Sequence, residues 1–109
     1  MAVDDPGVVD IVSIDPSGSV VLTVADHLDW TETVAHQAVL QAKLNRYLAF
    51  IESGEILEKY PKAEGRRIVI DVVMKHKPDG EGVWFLERAG AIIEAAGFGF
   101  VHGCSSGAP

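Results

Sequence analysis

Residues 8–14 carry Val8, Val9, Ile11, Val12 and Ile14, a β-branched run that predicts a strand. Asp15-Pro16-Ser17-Gly18 follows, with proline and glycine where a type I turn with a bulge needs them, and 20–25 is the returning strand of a hairpin. The period then changes. Leu40, Leu44, Tyr47, Leu48 and Ile51, with Ala35, Ala38 and Phe50 beside them, recur at the three-to-four spacing of a helix buried on one side. Gln37, Gln41, Lys43, Asn45, Arg46 and Glu52 fall on its polar side. Asp29 followed by Glu32 reads as a capping box, with Thr31 as the alternative cap, and the helix runs to about residue 53, where Gly54 closes it. Residues 55–60 add one further turn, stopped by Pro61. Residues 67–75 are the strongest strand pattern in the chain. Asp79 caps a second helix over 81–96, with Trp84, Phe85, Leu86, Ala89, Ile92, Ile93 and Ala96 on its apolar side. Gly97 ends it, and 98–102 is a last strand.

The order is β-β-α-β-α-β. A hairpin is followed by two strands, each reached through a helix, which implies right-handed parallel crossovers. The predicted fold is α+β: a two-layer sandwich of a four-stranded mixed sheet with two helices on one face. Residues 1–109 are expected to form a single domain, with an ordered core over about 8–102 and a tail at 103–109. Because alternate strand residues share a side, one sheet face collects Val9, Ile11, Val20, Leu22, Val24, Ile68, Ile70, Val72, Met74, Phe98 and Phe100, and belongs under the helices. The other collects Asp10, Val12, Ile14, Val21, Thr23, Val69, Asp71, Val73, Gly99 and Val101. That second face is too apolar for open water. It is expected to pack on a symmetric copy, with Val12, Val21, Val69, Val73 and Val101 at the interface; the alternative is a solvent-exposed face with scattered surface valines.

Composition supports a buried surface beyond one core: 48% of residues are hydrophobic in a chain this short. The net charge of −7 repels phosphate backbones and anionic membranes, and the basic pieces, such as Arg66-Arg67 and Lys75-His76-Lys77, are too short for a nucleic-acid footprint. Neither nucleic acid nor membrane is an expected partner. Cys104 is the single cysteine, so no internal disulfide forms; the N-terminus has no apolar secretory segment, and the expected compartment is the cytoplasm.

Candidate chemistry is sparse, and no catalytic residue, metal site or cofactor is expected. Asp26, His27 and Asp29 cluster where a strand gives way to a helix, a place that favours ligands, with Trp30 as a wall. The simpler reading makes Asp29 a cap, Asp26 a turn residue and His27 solvated. His36 reads as a surface histidine on the first helix, in reach of Glu32. Asp71 interrupts an apolar strand and needs water or a partner such as Thr23, Arg67 or a dimer mate. Trp30 and Trp84 read as core or staple residues.

The segments Asp26-His27-Leu28-Asp29-Trp30, Asn45-Arg46-Tyr47-Leu48-Ala49-Phe50-Ile51-Glu52-Ser53-Gly54-Glu55 and Tyr60-Pro61, with Arg67-Ile68-Val69-Ile70, resemble a family of small bacterial proteins known only as a domain of unknown function. The likeness covers about residues 8–100 and leaves the tail outside. It implies a standalone bacterial cytoplasmic protein and supplies no activity. Two functions follow as expectations. The first is a non-enzymatic binding or accessory protein, homodimeric through the open sheet face and open to a further protein partner. The second is a small enzyme or ligand-binding protein using the His27/Asp29 junction.

Overall fold

A computed structural model describes residues 11–104. The strands are β1 (Ile11–Ile14), β2 (Val20–Asp26), β3 (Ile68–Met74) and β4 (Gly99–Cys104). The helices are α1 (Thr33–Glu52), the single-turn α2 (Glu55–Lys59) and α3 (Gly80–Ala95), with a 3-10 turn at Pro61–Ala63. The sheet runs β1-β2-β3-β4, with β1 antiparallel to β2 and β3 parallel to both β2 and β4. The predicted order and mixed sheet are therefore present. The Val8–Asp10 part of the first strand and residues 105–109 of the tail lie outside the described residues. Gly103 and Cys104, expected in that tail, instead complete β4 beside Val73 and Met74.

The hairpin turn is held by one carboxylate. Asp15 Oδ1 accepts from Ser17 Oγ at 2.7 Å, Ser19 N at 2.9 Å and Ser17 N at 3.0 Å. These bonds, the Ser17 hydroxyl first, hold the Asp15 carboxyl below the usual range. The turn also sets which way β1 faces. Val12 lies opposite Leu22 and Ile14 opposite Val20, both on the helix-covered side. Val12 packs against the core and is therefore not part of the open face. Each alternating set of the predicted first strand carries one polar residue, Asp10 in one and Ser13 in the other, so only the hairpin register could fix its direction.

The helices lie on one side of the sheet. Leu22, Val24, Ile70, Val72 and Met74 meet Leu40, Tyr47 and Phe50 of α1 and Leu86 and Ile93 of α3, all buried. The Tyr47 hydroxyl donates to the Thr23 carbonyl at 2.8 Å, so its burial leaves the polar end satisfied. Asp79 caps α3 as expected, accepting from Gly82 N at 2.8 Å. Gly97, at φ +98°, supplies the left-handed residue that turns the chain into β4.

Four large side chains of the helices depart from expectation, one of them Ile92 of α3, which is 61% exposed. Lys43 is fully buried and His36 is 2% exposed. At 100° per residue both lie within about 60° of Leu40, inside the core-facing arc. Trp84 is 55% exposed rather than packed inside. It stands about 160° round α3 from Leu86, so the apolar stretch of that helix is wider than the sheet can cover.

Candidate functional site

The carboxyl ends of β2 and β3 meet the amino ends of α1 and α3, and a buried cluster ties them together. Asp26 is the last residue of β2, and its side chain is 0% exposed. His36 sits in the first turn of α1 with its Nε2 2.6 Å from Asp26 Oδ2. His36 Nδ1 lies 2.9 Å from the Asp29 carbonyl. A carbonyl only accepts, so Nδ1 carries a proton and donates. The contact between Nε2 and Asp26 carries a further proton, held between ring nitrogen and carboxyl. Both imidazole nitrogens are thus occupied inside the protein. The indole of Trp30 stacks on the ring at 3.7 Å between centroids and 23° between planes.

Trp30 links the two connectors. Its Nε1 donates to the His76 carbonyl at 3.2 Å. A Cβ added at Gly82 would stand 2.8 Å from the indole and 2.9 Å from Pro78. Only a glycine lets the first turn of α3 approach the ring this closely. Trp30 is therefore the core residue the sequence suggested, at 8% exposure.

Asp29 does not cap α1. Its Oδ1 accepts from Thr31 N at 3.1 Å, a local turn, and this bond holds the exposed carboxyl below the usual range. The helix starts three residues later, at Thr33, behind Glu32, which gives no side-chain cap. The chain must first bend so that Trp30 reaches the interior. His27 and Asp29 do come together, with Glu32 and His76, around a cleft of about 350 Å³ floored by His36 and Val39. His27 and Asp29 face solvent. Among the described residues no group of three or more His, Cys, Asp or Glu is arranged to hold a metal ion.

Asp71 lies on the opposite side of the sheet and does not join that junction. Thr23 and Val101 flank it in register, and Val21, Ala25, Val69 and Val73 share its face, all half-buried, with Val101 51% exposed. Four of the five predicted interface valines therefore lie together. Burial pushes the Asp71 carboxyl up, with His102 pulling weakly the other way. The Asp71 side chain makes no hydrogen bond or ion pair among the described residues. Arg67, immediately before β3, is in the same position. Its Nη2 would be 2.9 Å from a Cβ at Gly99, so the guanidinium lies over Gly99 and Val69 on this face. A cation and a carboxylate, neither with a side-chain partner among the described residues, thus sit four residues apart, one just before β3 and one within it.

A third feature lies on the helical layer, a groove of about 420 Å³ between α1 and α3. Leu44, Leu48 and Ile93 form its floor, and Trp84 and Ile92 its exposed wall. Sequence reading missed both this groove and the Asp26–His36 pair. The pair had a signal, since His36 shares the helical face of Leu40 and Leu44 and follows Asp26 by ten residues. No described helix is long and apolar enough to cross a membrane.

No curated protein and no solved structure matches the chain. The model of a family of unknown function, DUF6572, matches residues 1–106, and the chain belongs to that family.

Proposed function

We propose that the chain is a small bacterial cytoplasmic binding or accessory protein that works as a homodimer through its open sheet face, without catalysis of its own. The observation that carries this reading is the charge pattern on β3. Residues in a strand rise about 3.3 Å each, so Arg67 and Asp71 stand about 13 Å apart with Val69 midway. A two-fold axis lying in the interface, perpendicular to β3 at Val69, sets Arg67 of each copy over Asp71 of the other. Stacked sheets lie about 10 Å apart, within the combined reach of these two side chains. The valines then fill the interface around two reciprocal ion pairs, and the exposed apolar surface and the desolvated carboxylate are both accounted for.

The compartment rests on the single cysteine, which can form no internal disulfide. The competing reading, chemistry at the His27/Asp29 junction, has weaker support. The histidine most sheltered there, His36, has no free nitrogen with which to take a proton from a substrate. Light scattering at tens of micromolar tests the pairing. The expected mass is twice the 11.7 kDa of one chain, falling to one chain in Val73→Lys. A wild-type monomer would remove the reading.

A further inference from the structure

The groove between α1 and α3 has the chemistry of a ligand site, and it lies on the layer opposite the sheet face proposed for pairing. Its volume of about 420 Å³ falls within the span of about 300–1,000 Å³ common for small-molecule sites. Its floor is aliphatic, and its wall is the indole of Trp84, 55% exposed, with Ile92 at 61%. Both side chains bring apolar surface to the same groove, where a ligand would cover it.

Charge narrows the occupant. The protein as a whole carries −7, yet among the described residues the only charged side chain lining the groove is a cation, Arg88. Its guanidinium carbon sits 5.0 Å from the centre of the Trp84 ring. Arg88 makes no ion pair among the described residues. It is thus oriented by the indole, with its fork of donors left for an external acceptor. The side chains of Gln41 and Asn45 on the facing wall of α1 have no hydrogen bond among the described residues either. They offer neutral donors and acceptors around the same opening. One cation does not match the several charges of a nucleotide polyphosphate. It matches a single carboxylate, and the indole and aliphatic floor match a flat apolar body.

We propose that the α1/α3 groove binds a small planar hydrophobic carboxylate, its ring against Trp84 and Ile92 and its carboxylate on Arg88. Binding here is independent of pairing through the sheet, so either can fail without the other.

The test uses 2-naphthoate as the probe and 2-naphthamide as its uncharged counterpart, both titrated into the full chain. Trp84 and buried Trp30 are the two tryptophans, so quenching on titration reports on the groove. Calorimetry supplies a second readout. Saturable one-site binding of naphthoate is expected. Arg88→Gln, a substitution at an exposed position, should weaken naphthoate about tenfold and leave naphthamide unchanged, since only the charged hydrogen bond is lost. Trp84→Phe should abolish the quench while calorimetry still detects binding. The proposal is overturned if naphthoate does not saturate the wild type, or if Arg88→Gln binds it as tightly.

Discussion

Removing one member of the Asp26–His36 pair should be among the most damaging single changes in this protein. The pair is 2.6 Å long and both side chains are essentially sealed from water. In Asp26→Ala, His36 Nε2 keeps its place under Trp30 but loses its acceptor, and the Leu28 amide loses the Asp26 Oδ1 contact at 3.2 Å. Breaking a buried pair on one side costs about 3–5 kcal/mol, because the remaining group is left buried and uncompensated. Domains of this size are stable by about 5–15 kcal/mol, so a large part of the margin goes. The melting temperature should fall by on the order of 20 °C. His36→Leu should cost a comparable amount. The informative quantity is the double variant, measured in urea with a single folding transition. Once both partners are gone no charge is stranded, so the double should cost less than the sum of the singles by about 1–3 kcal/mol. Singles that add to within about 0.5 kcal/mol would refute the assignment of the pair as a mutual lock.

Two further changes probe the packing and the open face. Gly82→Ala puts a methyl 2.8 Å from the Trp30 ring; overpacking of this kind costs about 1–3 kcal/mol, read as a lower urea midpoint with an unchanged slope. Asp71 has its folded-state carboxyl pushed up by burial, so its ionisation opposes folding of the single chain. That penalty is fully present above the folded-state value and disappears as pH falls through the window down to the unfolded-state value. Asp71→Asn, studied at dilutions where single chains predominate, should therefore be more stable than wild type at pH 7, and the gain should vanish on acidification. A gain independent of pH would contradict the burial argument.

Much of the fold was legible because its elements repeat the same message at several levels. The strand over 67–75, the glycine after each long helix and the Asp79 cap all agree between local chemistry and global topology. Legibility failed where a side chain's partner lies far along the chain. His36 looks like a surface histidine until Asp26, at the end of the preceding strand, is brought to its Nε2. Lys43 was assigned to the polar side by its charge, although its helical angle put it in the core. Trp84 erred the other way, since hydrophobicity alone placed it inside when its angle pointed out. The direction of the first strand was undetermined because each of its alternating sets carries one polar residue, Asp10 in one and Ser13 in the other. The open face was read correctly at Val21, Val69, Val73 and Val101. Its pairing of a cation with a carboxylate on one face is visible only in the structure, where the guanidinium of Arg67 lies over Gly99, on the same side as Asp71.

Sedimentation equilibrium on three proteins tests the pairing through the sheet most directly. Wild type should sediment at twice the chain mass of 11.7 kDa. Arg67→Asp, which sets a carboxylate against Asp71 of the opposing copy, should sediment as a single chain. Arg67→Asp combined with Asp71→Arg exchanges the charges and keeps the reciprocal pairs, so the doubled mass should return. If the wild type is a single chain, or if the exchange fails to restore what Arg67→Asp removes, the two copies do not meet through this face in the way the charges of β3 require.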